Sequence, residues 1–161
     1  IIPEKILKKT KKWNVNFHPG PPEYPGIGCF NFALYNDEKT FGTTAHLMES
    51  KVDTGKIISV DRFDISMEEN VESLSIKTYE SLFRLFKTFI KSVNDEKKLT
   101  FEEIEWKRKP FKRVELEKLC LLDLQMSKEE FEKTIRCTYY PGAPAPYIVI
   151  NGFKFEYNPD R

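Results

Sequence analysis

A stiff loop follows a short strand near the start of the chain. Residues 13–28 read WNVNFHPGPPEYPGIG and hold four prolines and three glycines within sixteen positions. Proline fixes φ and lacks the amide hydrogen that a helix needs, and glycine beside proline marks turns. The preceding residues alternate, with Trp13, Val15 and Phe17 on one face. We therefore predict a strand that ends at His18, directly before the loop.

Composition restricts the class of protein. The 161 residues suffice for one domain with a real core, and the 14% aromatic content favours a folded chain. The net charge of +1 argues against a nucleic-acid partner that is bound through a basic surface. Three cysteines without metal-ligand spacing predict free thiols in a reducing compartment, and no apolar run reaches membrane-spanning length. We expect a cytoplasmic protein with neither nucleic acid, membrane nor metal as a partner.

The pattern of elements predicts an α/β fold. Helices are expected at 3–9, 29–36, about 66–93 and from Ser127 onwards, and strands at 13–17, 40–48, 56–65 and on both sides of Asn151-Gly152. The two middle strands pair as a hairpin across 49–55 in this interpretation. Asn-Gly between two alternating runs is typical of a type I′ hairpin turn.

Two stretches carry more specific expectations. The long helix is expected to begin at the capping box Ser66–Glu69. Its spacing predicts one broad buried face made of Leu74, Tyr79, Leu82, Phe83, Phe86, Phe89, Ile90 and Val93. The basic run WKRKPFKR, which opens at Trp106, has two interpretations: a solvated surface segment, which we favour, or a phosphate-binding patch.

Asn16 and His18 carry the chemistry. Residues two apart on a strand point to the same side, so both side chains face one place beside the stiff loop. An amide stabilises a developing oxyanion, and an imidazole also moves protons near neutral pH. A carboxylate that orients the imidazole is expected as a third member, and Asp53 in KVDTG is the candidate. Cys29 lies near the loop without a basic neighbour and is expected to be inert.

The two motifs NFHPGPPEYPGIG and FGTTAHLMESKVDTGKI resemble the folate-dependent formyltransferases. That family shares Asn-x-His-Pro followed by Asp-x-Gly some three dozen residues later, and His18 and Asp53 are 35 positions apart. The resemblance is strongest over about residues 13–65. His46 stands where the family often has a histidine, although a packed strand histidine is our preferred interpretation.

The resemblance implies roles for individual residues. Asn16 would hold the formyl oxygen, His18 would assist it and move a proton, and Asp53 would orient His18 and help to take the proton from the attacking amine. The donor would be N10-formyltetrahydrofolate. The cofactor-binding residues implied by the resemblance are Met48, Lys51, Val52 and Asp53. The substrate-binding residues implied are Pro19, Gly20, Glu23 and Tyr24.

The acceptor is open at this point. The loop GPPEYPG resembles the sugar-nucleotide N-formyltransferases that act on 4-amino-4,6-dideoxy sugars, whose products enter polysaccharide biosynthesis. Methionyl-tRNA formyltransferases usually have a basic Arg-Gly in this loop, where this chain has Glu23. The alternatives are therefore a nucleotide-linked amino sugar, methionyl-tRNA or another amine, and a non-catalytic fragment that binds folate or a nucleotide.

The resemblance also implies the fold. The chain corresponds to the C-terminal part of a Rossmann-like formyltransferase domain that lacks the first β-α units, followed by a small helix and a β-hairpin. We expect the second half of the catalytic core at 1–98 and a C-terminal extension at 99–161. The chain begins Ile1-Ile2, and we expect a fragment of a longer enzyme. A sheet without those units exposes an edge, so a homodimer is a further expectation.

Overall fold

A computed structural model of the chain describes residues 2–95 and 98–159. Its elements, in chain order, are α1 (Glu4–Leu7), β1 (Val15–His18), α2 (Cys29–Tyr35), β2 (Thr40–Leu47), β3 (Ile57–Asp64), α3 (Val71–Asn94), α4 (Arg113–Leu119), α5 (Lys128–Thr138), β4 (Tyr147–Ile150) and β5 (Phe153–Glu156). The mixed α/β class that the sequence predicts is confirmed. Helix α4 lies between about residue 93 and Ser127, where the sequence analysis predicts no helix or strand.

Both predicted hairpins are present. Strands β1, β2 and β3 form an antiparallel sheet in that order, and β2 pairs with β3 from Thr40↔Asp64 onwards. Strands β4 and β5 form a separate two-stranded sheet. At its turn, Asn151 has φ 50° and Gly152 has φ 82°, as a type I′ turn requires. Strand β1 forms one edge of the three-stranded sheet.

The predicted start of α3 is wrong. Helix α3 begins at Val71 and not at Ser66, because Asn70 is its N-cap. The Asn70 side chain accepts from the Ser73 amide, and the Ser73 hydroxyl accepts from the Asn70 amide, which is a reciprocal capping box. Ser66 and Glu69 instead close a short turn. By contrast, Ser127 caps α5 by accepting from the Glu130 amide, as predicted.

The predicted buried face of α3 is also largely wrong. The buried positions are Val71, Leu74, Ser75, Thr78, Ser81 and Leu85. Among the residues expected to be buried, Tyr79, Phe83, Phe86 and Ile90 are exposed. Hydrogen bonds explain the rotation of the helix: Ser81 Oγ lies 3.0 Å from Thr43 Oγ1 of β2 and donates to Asp61 Oδ2 of β3 at 2.7 Å. Small side chains on this face let the helix approach the sheet closely.

The core draws residues from both predicted segments of the chain. Tyr24, Leu34, Phe41 and Leu74 from the first 98 residues form one buried cluster with Phe111 and Cys137 from the remainder. Segment 99–112, which lies between α3 and α4, packs against β3 and the proline-rich loop. The Glu102 amide donates to the Ile57 carbonyl of β3, and the Lys107 and Phe111 amides donate to the carbonyls of Pro22 and Pro25. A domain boundary at 98/99 stays a prediction. None of the described helices is long and apolar enough to cross a membrane.

Candidate active site

The pairing of β1 with β2 brings three polar side chains together. Asn16 lies opposite His46, and His18 lies opposite Thr44, in the antiparallel register. Alternation along each strand therefore places Asn16, His18 and His46 on one side of the sheet. His18 and His46 are 4% and 3% exposed, so both imidazoles are buried. Asn16 and His18 therefore share one side of the sheet, as the sequence predicts, and the cluster forms on that side.

Asp53 joins the two histidines. It lies in the loop between β2 and β3 and has φ 44°, a left-handed conformation that Asp adopts more readily than most residues. Its Oδ2 accepts from the Gly26 amide at 2.7 Å and lies 3.3 Å from His18 Nδ1. Its Oδ1 lies 3.3 Å from His46 Nε2. The carboxylate thus touches a different imidazole with each oxygen.

The proline-rich loop fixes the far side of His18. His18 Nε2 donates to the Tyr24 carbonyl at 2.9 Å, since a carbonyl only accepts. Thr44 Oγ1 donates to the Gly20 carbonyl at 2.8 Å. A Cβ at Gly20 would lie 2.7 Å from His18 Nε2, so only glycine allows this approach. The ring of His18 is therefore held at both nitrogens.

The charges of the cluster follow from its burial. Burial lowers the pKa of His18, an effect that the Asp53 charge and the Tyr24 carbonyl oppose only in part. Burial alone would raise the pKa of Asp53, but the His46 hydrogen bond, the His18 charge and the Gly26 amide together hold it below its ordinary value. The Asp53 carboxylate beside His18 is therefore ionised at pH 7. Burial raises the pKa of Cys29 to about 12, which keeps it a thiol.

Trp106 packs over both imidazoles. Its ring centroid lies 5.0 Å from that of His46 and 5.8 Å from that of His18, both in edge-to-face geometry. Its Nε1 donates to the Gly55 carbonyl at 2.8 Å, which anchors segment 99–112 beside the Asp53 loop. Sequence reasoning assigned no role to Trp106, because its only local signal is an aromatic residue beside a basic run. The contact of Trp106 with the two histidines forms only because segment 99–112, about fifty residues later in the chain, packs beside the Asp53 loop.

His46 is buried in the strand, as we interpreted it, but it is also part of the cluster. Its Nδ1 donates to the Leu47 carbonyl at 2.7 Å. Its Nε2 lies 3.1 Å from Asn16 Nδ2 and 3.3 Å from Asp53 Oδ1. The signal that could have found this residue is its position in the strand that leads into the KVDTG loop.

The residues predicted to bind the cofactor do line a common hollow. Met48, Lys51, Val52 and Asp53 border a hollow of about 220 Å³ together with Asn16 and His46. Met48 and Val52 supply apolar surface, and Asn16 and Asp53 supply polar groups. That combination suits a flat heteroaromatic ring, although sites for drug-sized ligands usually measure 300–1,000 Å³. The hollow by itself is thus smaller than the usual site of a drug-sized ligand.

The residues predicted to bind the substrate are placed differently. The Tyr24 side chain is buried in the core, and its hydroxyl donates to Glu38 Oε1 at 2.6 Å. The Glu23 carboxylate is held by Arg62 at 2.9 Å. The Pro19 carbonyl accepts from Cys29 Sγ, and the Gly20 carbonyl accepts from Thr44 Oγ1. None of these four residues places a side chain in the cluster, so their substrate-binding role stays a prediction.

A larger cleft opens on the other side of Asp53. It measures about 1630 Å³ and is bordered by the Asp53 loop, by Gly26 and by segment 101–113. The basic residues of that segment lie along it: Lys107, Arg108, Lys109, Lys112 and Arg113. Arg108 stacks on the Phe111 ring at 3.1 Å. Asp53 lines both this cleft and the small hollow, and the described residues include no cluster of His, Cys, Asp and Glu suited to a metal ion.

Comparison with known proteins identifies the family. The family model described as formyl transferase matches residues 1–87, more than half of the chain. The chain belongs to the formyl transferase family. The resemblance that the two motifs indicated is thereby confirmed, and the cluster of Asn16, His18 and Asp53 lies within the matched residues.

Relatives in this family include enzymes with different acceptors. The chain is 28% identical over 163 residues to GDP-perosamine N-formyltransferase of Brucella melitensis, covering 99% of this chain and 60% of that protein. It is 25% identical over 171 residues to methionyl-tRNA formyltransferase of Azobacteroides pseudotrichonymphae, covering 98% of this chain and 50% of that protein. The chain thus spans about 60% or less of the length of these relatives.

Solved structures show the same fold. A 4-N formyltransferase from Francisella tularensis superposes with a TM-score of 0.80 at 22% identity, over 98% of this chain and 65% of that chain. An N-formyltransferase from Helicobacter canadensis, solved with folinic acid and dTDP-3-aminofucose, has a TM-score of 0.67 at 21% identity, over 86% of this chain and 51% of that chain. The chain therefore has the fold of part of a formyl transferase domain, which confirms the predicted fold class.

Proposed function

We propose that this chain transfers a formyl group from N10-formyltetrahydrofolate to the amine of a nucleotide-linked amino sugar of the 4-amino-4,6-dideoxy type. The observation that carries the proposal is the convergence of Asn16, His18 and Asp53 in one cluster, with Asp53 Oδ2 3.3 Å from His18 Nδ1. The family assignment and the relatives named above support it. The folate donor supplies the formyl carbon to which the amine nitrogen bonds.

Each residue of the cluster has a defined task in this proposal. The amine lone pair bonds to the formyl carbon, and the carbonyl electron pair moves onto the formyl oxygen, to which Asn16 Nδ2 donates a hydrogen bond. One such donor is typically worth about 3–4 kcal/mol in the transition state. Asp53 takes the proton that the amine loses. Asp53 also orients His18 through Nδ1, while the Tyr24 carbonyl holds the other nitrogen of that ring. The oxyanion then collapses, the bond between the formyl carbon and N10 of the donor breaks, and the proton passes from Asp53 to that nitrogen.

The position of Asp53 supports two substrates that meet across it. The small hollow beside Met48 and Val52 suits the ring system of the donor, and the larger cleft suits the acceptor. The cleft is lined by basic residues beside Glu102, Glu103 and Glu105, and its exposed lysines are available to the phosphates of an acceptor. Lys107 and Lys109 are the side chains that we propose for the diphosphate.

A second candidate is methionyl-tRNA, which the similarity to a methionyl-tRNA formyltransferase favours. Two observations favour the sugar instead: the net charge of +1, and the acid Glu23 in the loop, which Arg62 neutralises. A non-catalytic chain that binds folate or a nucleotide is the third candidate. A homodimer and a cytoplasmic location stay predictions, and sizing with light scattering tests the first of them.

A mass-spectrometric transfer assay tests the proposal. The chain is incubated with N10-formyltetrahydrofolate and a panel of amino-sugar nucleotides beside charged methionyl-tRNA. We expect a formylated sugar that is lost in Asp53→Asn and His18→Ala and retained in Leu124→Ala, a control at an exposed residue outside the cluster. Formylated methionyl-tRNA would select the second candidate. Binding of folate without any product would select the third.

A further inference from the structure

The position of His46 Nε2 is the observation from which this inference starts. Nε2 lies between Asn16 Nδ2 at 3.1 Å and Asp53 Oδ1 at 3.3 Å. In the proposed function Asn16 binds the oxyanion and Asp53 takes the amine proton. Both residues thus contact the same nitrogen, His46 Nε2. We propose that His46 is a positioning residue, whose Nε2 orients the amide of Asn16 and the carboxylate of Asp53. Only the expected change in kcat rests on the proposed function; the positioning of Asn16 and Asp53 by His46 does not.

The other nitrogen of His46 fixes which tautomer is present. Nδ1 lies 2.7 Å from the Leu47 carbonyl, which accepts and never donates, so Nδ1 carries a hydrogen. In the neutral ring Nε2 is then bare and accepts from Asn16 Nδ2. In the protonated ring Nε2 donates to Asp53 Oδ1, and the Asn16 amide turns its oxygen towards the ring. The neutral ring thus orients the Asn16 amide, and the protonated ring orients both the amide and the Asp53 carboxylate.

The surroundings of His46 leave few other groups to do this. Asp53 faces it from the loop, Asn16 and His18 face it from β1, and the uncharged Trp106 covers it from segment 99–112. Cys29 lies close enough to Asp53 to feel its charge but remains a thiol. Glu49 and Lys51 border the hollow outside, where both are exposed. Oδ2 of Asp53 has its own partners in Gly26 and His18, so Oδ1 depends on His46.

Two substitutions separate positioning from packing. His46→Gln keeps a polar group near the position of Nε2 and loses the ring. His46→Phe keeps the ring, its volume and its edge contact with Trp106, and loses both nitrogens. Positioning predicts that Gln is the better replacement, whereas a role in packing alone predicts that Phe is. We expect kcat to fall about 10–100-fold in the Phe variant and about 5-fold or less in the Gln variant, because small displacements of reacting groups are costly. KM for the acceptor should change little in either.

Nuclear magnetic resonance of ¹⁵N-labelled histidine provides a readout that does not need activity. The chain has two histidines, so either variant leaves His18 as the only signal. We expect the titration midpoint of His18 to stay near the wild-type value in His46→Gln. In His46→Phe we expect it to move by roughly half a pH unit or more, since Asp53 loses one of its two fixed contacts. Circular dichroism checks that both variants fold.

The wild-type chain gives a second test without any substitution. At high pH, where both rings are neutral, His46 must show the tautomer with hydrogen on Nδ1. The opposite tautomer would overturn the inference. So would a Phe variant whose kcat is at least that of the Gln variant and whose His18 titration midpoint stays at least as near the wild-type value. If the wild-type chain transfers no formyl group, the proposed function fails, and the tautomer and the His18 titration alone decide the role of His46.

Discussion

Gly55→Ala should disturb the site through the backbone. Gly55 has no left-handed φ, so its requirement is one of space: a Cβ there would lie 1.7 Å from the Leu47 carbonyl oxygen. Real contacts begin at about 3.0 Å, so one of the two backbones has to move by about 1.3 Å. The Leu47 carbonyl accepts from His46 Nδ1, and the Gly55 carbonyl accepts from Trp106 Nε1. The displacement therefore disturbs the hydrogen bonds that hold the rings of His46 and Trp106.

The expected magnitude follows from these contacts. Overpacking costs about 1–3 kcal/mol, and a buried donor left without its acceptor costs about 1–3 kcal/mol more. The lower entropy of the unfolded alanine chain offsets about 0.4–1 kcal/mol. We expect the free energy of unfolding to fall by about 1–5.6 kcal/mol, measured by urea denaturation. The His46 imidazole signals should shift at the same time.

Gly42→Ala is the matched control. Gly42 lies in β2, and a Cβ there would lie 2.4 Å from the Asp61 carbonyl oxygen, another backbone clash in the same hairpin. Its displacement is about 0.6 Å and occurs away from the histidines. We expect a loss of about 1–2 kcal/mol with unchanged imidazole signals. The reasoning is refuted if Gly55→Ala leaves the stability unchanged, or if both variants shift His46 to the same extent.

Three further outcomes are expected. The free energy of unfolding should fall as the pH drops below about 6.5, because His18 then binds a proton in the unfolded chain but not yet in the folded chain, where its pKa is lowered. Below about 3.8 the protonation of Asp53, whose pKa is also lowered by folding, should reduce stability again. Urea unfolding across pH measures both steps, and His18→Gln should remove the first. Trp106→Phe should cost about 0.5–1.5 kcal/mol through the lost hydrogen bond to Gly55, measured in urea beside Trp13→Phe, a control at an exposed tryptophan. Glu23→Gln should change stability by less than about 1 kcal/mol, because its ion pair with Arg62 is partly exposed; a larger loss in 1 M salt would contradict a screened surface pair.

The sequence predicts best those features that local chemistry determines. The turn at Asn151-Gly152, the cap at Ser127 and the stop of β1 before the prolines each depend on a few neighbouring residues. The side that Asn16 and His18 share follows from the two-residue period of a strand. Asp53 was a candidate from the residues alone, and the resemblance added the matching spacing. The structure supplies the physical reason, since the loop after β2 brings Asp53 beside His18.

The sequence predicts poorly those features that depend on distant partners. The face of α3 was expected to follow its largest apolar residues, but Ser81 reaches Thr43 and Asp61 and thereby turns that face towards the sheet. Periodicity counts apolar side chains and has no means of weighing such a hydrogen bond. Trp106 meets the histidines only because segment 99–112 packs beside the Asp53 loop.

Backbone carbonyls, and not side chains, hold the outer nitrogens of both imidazoles. Tyr24 supplies the carbonyl for His18, and Leu47 supplies the one for His46. A substitution at Tyr24 or Leu47 leaves that acceptor in the chain, so the tautomers of both rings tolerate changes in the side chains that surround them. The backbone itself is positioned by close approaches at Gly20 and Gly55, where no other residue fits. The orientation of the rings should therefore respond more strongly to alanine at these two glycines than to conservative changes at Tyr24 or Leu47.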